Sequence, residues 1–226
     1  MNRLYFLKEK IVSLREHLLF FLFPPKCAAC KRVGYKDLCP DCKRSLEESF
    51  APKKFIASGG NGYADGMYTL FPYQEYAVKK LLFDWKQEEF LDLPIIFTPF
   101  MQKFVKKELL PGNIHYISYL PRRRYEQFKM GFDQAERMAM IYSRLLGLPF
   151  EPLLIRKGLF RKAQHKARYE KRVKNVRGAF RATRSLDGET ILLIDDIVTT
   201  GATAREGARI LKKAGAMKVY ILSMAH

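Results

Sequence analysis

The run Ile191-Leu192-Leu193-Ile194-Asp195-Asp196-Ile197-Val198-Thr199-Thr200-Gly201-Ala202-Thr203 constrains this chain more than any other, because its physical character changes twice within it. Four consecutive large apolar residues after Asp187-Gly188 fit a strand buried on both faces of a parallel sheet better than an amphipathic helix. Asp195 and Asp196 then close the strand, at the edge where open α/β sheets gather their ligands. The Thr-Thr-Gly-Ala-Thr that follows offers small side chains, hydroxyls and closely spaced backbone N–H groups, and it opens a helical pattern from about Ala204 to Ala214. The turn therefore predicts an anion cradle at a helix N-terminus. Two acids beside such a nest suit a ligand with a phosphate and a diol, or a phosphate with its divalent metal.

A parallel sheet needs more strands and covering helices, and 226 residues with 48% hydrophobic composition provide one main domain and an accessory module. Strands are expected over Tyr63–Phe71, Ile114–Leu120 and Val219–Leu222, the last after a helix stop at Gly215. Helices are expected from Tyr76, with Leu81, Leu82 and Trp85 inward, over Phe97–Leu110, and from Gly131 to Leu146, where Gly147 stops it. The Ile114–Leu120 strand runs directly into Pro121-Arg122-Arg123-Arg124. Adjacent guanidinium groups are expensive to hold together without an anion between them, and a strand's carboxyl end is where that anion would lie; a solvated charge cluster is the other reading.

Net charge sharpens the class of partner. The formal charge of +18 favours polyanions: phosphates, pyrophosphate or nucleic acid. From Arg156 to Arg184 there are twelve Lys or Arg residues against one acid, Glu170, with Gln164, His165, Tyr169 and Phe180 among them. Two uses fit this run: a lid that closes over a pyrophosphate, or a surface that tracks a nucleic-acid backbone, with Arg168, Lys171 and Arg172 as phosphate contacts and Tyr169 and Phe180 as stacking platforms. A solvated face is the third reading.

All four cysteines, Cys27, Cys30, Cys39 and Cys42, fall in two C-x-x-C pairs, the spacing of a tetrahedral zinc site with thiolate ligands. Disulfides are the competing use, without a secretion signal to favour them. Before this module, Leu4, Leu7, Ile11, Leu14, Leu18 and Leu22 recur at helical spacing up to Pro24-Pro25. The uncharged run Leu18–Pro25 is too short to span a bilayer, so no stable membrane insertion is expected and the protein reads as cytoplasmic. Docking onto the domain or a partner is the expected role, with a peripheral membrane contact through Phe20, Phe21 and Phe23 as the other. The chain thus divides into an amphipathic helix (1–25), a four-cysteine module (26–50) and an α/β domain (60–226).

The Ile191–Thr203 string resembles the 5-phosphoribosyl-1-pyrophosphate (PRPP) binding motif of type I phosphoribosyltransferases. The order of features along nearly the whole chain resembles the ComF family: an apolar helix, Pro24-Pro25, a cysteine knuckle, the Pro121–Arg124 loop, Gly131-Phe132-Asp133-Gln134-Ala135, a basic segment, Gly178-Ala179-Phe180 and the Asp195–Gly201 loop. Members of that family are phosphoribosyltransferase-like proteins with an N-terminal zinc ribbon, associated in bacteria with natural transformation and DNA uptake. Asp133 departs from the Asn that the family pattern commonly shows, and a carboxylate there repels a pyrophosphate unless a metal or Arg122 intervenes.

The resemblance implies a type I phosphoribosyltransferase fold, structural Zn2+ on the four cysteines, and Mg2+ with PRPP. It implies that Asp195 and Asp196 bind the ribose hydroxyls and that Thr199, Thr200, Gly201, Ala202 and Thr203 hold the 5′-phosphate. Leu120, Pro121 and Arg122 would form the pyrophosphate loop, with Asp195, Asp196 and Arg122 as the catalytic set. Single-stranded DNA and competence proteins such as a DNA-translocating helicase are the implied macromolecular partners. Transfer of the phosphoribosyl group to an acceptor, and a binding role without turnover, both stand as readings.

Overall fold

The structure is a computed structural model and describes residues 21–55, 63–85, 93–106, 113–122, 133–157 and 176–226. Its elements in chain order are α1 (Pro40–Ser49), β1 (Lys53–Phe55), β2 (Gly66–Phe71), α2 (Tyr76–Trp85), α3 (Leu93–Lys106), β3 (Tyr116–Tyr119), α4 (Gln134–Leu146), β4 (Leu154–Arg156), β5 (Phe180–Ala182), β6 (Thr190–Ile197), α5 (Ala202–Lys213) and β7 (Lys218–Ala225).

The apolar run of β6 is buried because it is interior to the sheet. It pairs in parallel with β3 on one side, Ile191 opposite Tyr116, and with β7 on the other, Ile191 opposite Val219. The five-stranded sheet has the order β1-β2-β7-β6-β3, and only β1, at the edge, is antiparallel to its neighbour. Side chains alternate across it. Ile191, Leu193, Val219 and Ile221 face α5, which contributes Ala204, Ala208 and Leu211. Leu192, Ile194, Tyr220 and Leu222 share the opposite cluster with Leu81, Leu82 and Trp85 of α2, Phe97 and Phe104 of α3, and Met138 and Tyr142 of α4. Helices on both faces explain why β2 is buried throughout, with no polar face of the kind its moderately alternating sequence predicts.

Capping chemistry sets the limits of α4. Asp133 accepts a hydrogen bond from the Ala135 N–H, and Gly147 adopts a left-handed conformation at φ 65°, which a residue with a side chain adopts only under strain. The helix stop predicted at Gly147 is the one observed.

The four-cysteine module is bonded to the α/β core. Cys27, Cys39, Cys42 and Leu46 of α1 belong to the same apolar cluster as α2 and α3. Lys31 reaches the Asp84 carboxylate of α2 at 2.7 Å, Lys80 reaches it at 2.9 Å, and Ser45 donates to Glu75 at 2.6 Å. Burial alone would raise the Asp84 carboxyl, but the two lysines outweigh it and hold it below its usual range. Phe50 lies 5.6 Å from Phe71 and 5.4 Å from Phe100 between ring centroids, so the chain leaving α1 is anchored before β1 joins the sheet. Among the described residues no helix is long and apolar enough to cross a membrane. Of the predicted N-terminal helix, residues 1–20 lie outside the described residues.

Candidate functional site

Parallel pairing brings the carboxyl ends of β3 and β6 side by side, and both predicted loops leave the sheet there. The Leu120 N–H donates to the Ile194 carbonyl at 3.0 Å, so Pro121-Arg122 emerges beside Asp195-Asp196. Arg122 Nη2 pairs with Asp196 Oδ2, and the two side chains are only 18% and 10% exposed. The guanidinium that the sequence reading assigned to an anion, or to a solvated cluster, therefore has an internal partner 74 residues away. Arg123 and Arg124 lie outside the described residues.

The two acids are not equivalent. The Asp196 N–H donates to Asp195 Oδ1 at 3.0 Å, turning the Asp195 side chain back over its own backbone. Burial, with the Asp196 carboxylate next in weight, raises the Asp195 carboxyl well above its usual range, and Arg122 opposes the shift only in part. The pair thus holds one acid against a guanidinium and one under pressure to stay protonated. Such a site gains from a cation or from hydroxyl donors.

Beyond β6 the Val198 N–H is tied to the Ala225 carbonyl of β7 at 3.0 Å, and His226 Nδ1 lies 3.0 Å from the Val198 carbonyl. Both the N–H and the carbonyl of Val198, where the turn opens, are therefore held. Gly201 at φ 70° then turns the chain into α5 without a side-chain cap, so the helix N-terminus presents backbone N–H groups. The helix begins at Ala202, two residues before its predicted start, and the Ala202 N–H donates to Thr200 Oγ1 at 3.3 Å. Thr203 stands in its first turn and Thr199 is exposed at the rim.

Arg205 is a neighbour of this cradle that the motif does not name. A helical side chain points back toward the N-terminus, and Arg205 Nη1 lies 3.2 Å from where a Cβ on Gly201 would stand. The signal was available as a cation one turn after the glycine. A second close approach joins the two loops: a Cβ on Gly207 of α5 would meet Leu120 Cδ2 at 2.5 Å and Leu193 Cδ2 at 3.2 Å. A side chain at position 207 would force the Leu120 side chain, on the residue that starts the Pro121-Arg122 turn, to move.

The basic segment differs from its sequence reading at both ends. Its ends form an antiparallel pair, Arg156 opposite Phe180 and Leu154 opposite Ala182. Phe180 is fully buried in the cluster under α5 and carries the Arg156 guanidinium 5.2 Å above its ring, so it is not a stacking platform for bases. The physical reason is β pairing, which turns alternate residues of a basic run inward. Arg184 is likewise engaged, with Glu151 at 2.7 Å and Glu189 at 2.9 Å. Arg156 Nη1 makes a long 3.4 Å contact with the Pro121 carbonyl, and the Gly178 N–H donates to Glu206 of α5 at 2.6 Å. Residues 158–175, among them Arg168, Tyr169, Lys171 and Arg172, lie outside the described residues.

The four cysteine Sγ atoms lie within 4.8 Å of one another, and those of Cys30 and Cys39 are 3.7 Å apart. Tetrahedral thiolates at about 2.3 Å from a zinc ion stand about 3.8 Å from each other, so the donor set fits that ion. Cys27 and Cys30 sit in a turn closed by the Cys27 N–H to Arg32 carbonyl bond at 2.8 Å, while Cys39 and Cys42 occupy the start of α1. Burial raises the Cys27 thiol, yet N–H groups of Cys39, Cys30 and Ala29 outweigh it and bring it down to about 6. Burial and the neighbouring thiols push Cys42 the other way.

Residues 133–225 match the family model described as a phosphoribosyl transferase domain. The chain is 29% identical over 112 residues to the DNA utilization protein YhgH of Escherichia coli, covering 50% of this chain and 48% of that protein. It is 25% identical over 109 residues to competence protein F of Haemophilus influenzae, covering 47% and 48%. The chain thus spans about half the length of these curated relatives. A solved adenine phosphoribosyltransferase overlaps 80% of this chain and 89% of its own, at 15% identity and a TM-score of 0.40. The matched domain, the parallel sheet with helices on both faces and the similarity to proteins named for DNA utilization and competence support a ComF-family, type I phosphoribosyltransferase-like protein.

Proposed function

We propose that this protein binds PRPP together with Mg2+ at the carboxyl ends of β3 and β6 and acts in competence-linked DNA utilisation. The observation that carries the reading is the convergence of Arg122, Asp195 and Asp196 beside the start of α5, whose N-cap Gly201 has no side chain. In this reading Asp195 and Asp196 receive the ribose hydroxyls, directly or through metal-bound water. Thr199, Thr200, Gly201, Ala202 and Thr203 hold the 5′-phosphate through backbone N–H groups and hydroxyls. Leu120, Pro121 and Arg122 face the pyrophosphate. Bound Mg2+ supplies positive charge to the pyrophosphate and ribose oxygens. Arg122 must exchange Asp196 for the ligand, which is favourable because a phosphate accepts two parallel N–H bonds from a guanidinium. The cysteines hold zinc as a structural ion.

Calorimetric titration with PRPP and Mg2+ tests the reading. Saturable binding that is lost in Asp196→Asn supports it, and absence of heat at millimolar PRPP removes it. Turnover is a separate matter: pyrophosphate release with nucleobase acceptors would make the protein a transferase, with Arg122 stabilising the departing group's charge. The DNA arm rests on the basic residues and on the relatives' names. Neutralising Arg168, Lys171 and Arg172 should reduce the slope of log K for single strands against log salt by about 2. An unchanged slope would remove this segment from DNA contact. The protein reads as cytoplasmic, with the helix 1–25, the zinc module 26–50 and the domain 60–226 as its working parts, and with a DNA-translocating helicase among its partners.

A further inference from the structure

We infer that Asp133 is a positioning residue for the pyrophosphate loop: its buried carboxylate fixes Arg122 through the main chain while Asp196 holds the same residue by its side chain. Asp133 is 3% exposed. Oδ1 accepts the Ala135 N–H at 3.0 Å, which caps α4, and Oδ2 accepts the Arg122 N–H at 2.8 Å. One carboxylate therefore serves two donors on two elements, and the second bond has no role in the helix. With Arg122 Nη2 on Asp196 Oδ2, the loop residue is clamped between two acids, one at its backbone and one at its guanidinium.

The geometry reverses the sign expected from charge alone. A carboxylate beside a pyrophosphate site would repel the ligand, but this one faces two N–H donors and the positive end of a thirteen-residue helix. It is compensated where it lies. Its effect on an anion is therefore exerted through the placement of the Arg122 amide and side chain. Binding of an anion then requires only the exchange of the Asp196 partner, with the backbone already in position, so part of the ordering entropy is removed before the ligand arrives.

The inference rests on the pyrophosphate assignment of Leu120, Pro121 and Arg122, and the test separates the two. Inorganic pyrophosphate with Mg2+ is titrated into the full chain and into two variants. Asp133→Asn keeps one carbonyl oxygen for the helix cap, at which Asn is as good as Asp, and cannot serve both donors. Asp133→Ser keeps a capping oxygen too short to reach Arg122. Both should melt within a few degrees of the wild type, bind pyrophosphate about tenfold more weakly, equivalent to about 1.4 kcal/mol, and show faster hydrogen exchange in the peptide containing Arg122. Unchanged exchange and affinity overturn the inference alone, and tighter binding by Asp133→Asn would show that charge repulsion decides. Pyrophosphate that fails to bind the wild-type chain overturns the pyrophosphate assignment and the inference with it.

Discussion

Asp195 shows how a single residue can be placed against its own stability. Its carboxyl is raised by burial and by the neighbouring Asp196, so the folded chain holds a proton that the unfolded chain gives up near the ordinary value of 3.8. The associated stability is complete below that pH and is lost as pH rises toward the folded value. Asp195→Asn removes the penalty. The variant should melt higher than the wild type at pH 7 without ligand, the difference should vanish as pH falls toward 4, and PRPP binding should be lost; a lower Tm at pH 7 would contradict the assignment. Arg205 makes the same point with opposite charge, since a guanidinium at the positive end of a helix is unfavourable until an anion sits there. Sequence reading identified both acids and could not rank them. Their ranking depends on Arg122, which reaches one of the two from the turn after β3.

Element packing joins the two loops proposed to hold the ligand's phosphates. α5 lies close enough to β3 that Gly207 stands against Leu120, Leu154 and Leu193. Gly207→Ala would gain about 1 kcal/mol of helix propensity and lose about 1–3 kcal/mol to overpacking. The loss should dominate, because the added Cβ would stand 2.5 Å from Leu120 Cδ2 and 3.2 Å from Leu154 and Leu193, so three buried leucines must shift at once. We expect the variant to melt lower and to bind pyrophosphate more weakly, through displacement of the Pro121-Arg122 turn, with urea denaturation and calorimetry as the two measurements. Gly207→Ala with unchanged pyrophosphate affinity would show the loops to be independent. The helices α2 to α5 and the strands β2, β3, β6 and β7 were readable from periodicity, whereas α1 within the cysteine module and the three-residue β1 were not. The pairing of β4 with β5 was not, because three-residue strands in a charged segment carry too little alternation to register.

At the scale of the whole molecule, the cysteine module and the α/β domain share one apolar cluster. With zinc held on the four thiolates as proposed, its removal should therefore lower the stability of the entire chain, where an independent module would melt separately. With a loss on the order of 3 kcal/mol, Tm should fall by about 10 °C in a single transition on chelation, read by calorimetry with and without chelator. Two resolved transitions would show that contacts such as Lys31 to Asp84 do not couple the parts.

The residues alone determined that β6 is a buried strand ending in two acids, that a turn of small and hydroxyl side chains follows it, and that the four cysteines stand at metal-ligand spacing. Each of these is a local property: hydrophobic continuity, turn chemistry and spacing act within a few neighbouring residues. Only the tertiary structure decided which strand lies beside β6, and with it that Arg122 meets Asp196, that Asp133 secures Arg122, and that Phe180 is core. Those facts depend on strand order and on helices packing across the sheet, where partners 11, 24 or 74 residues apart meet through contacts that no local pattern encodes.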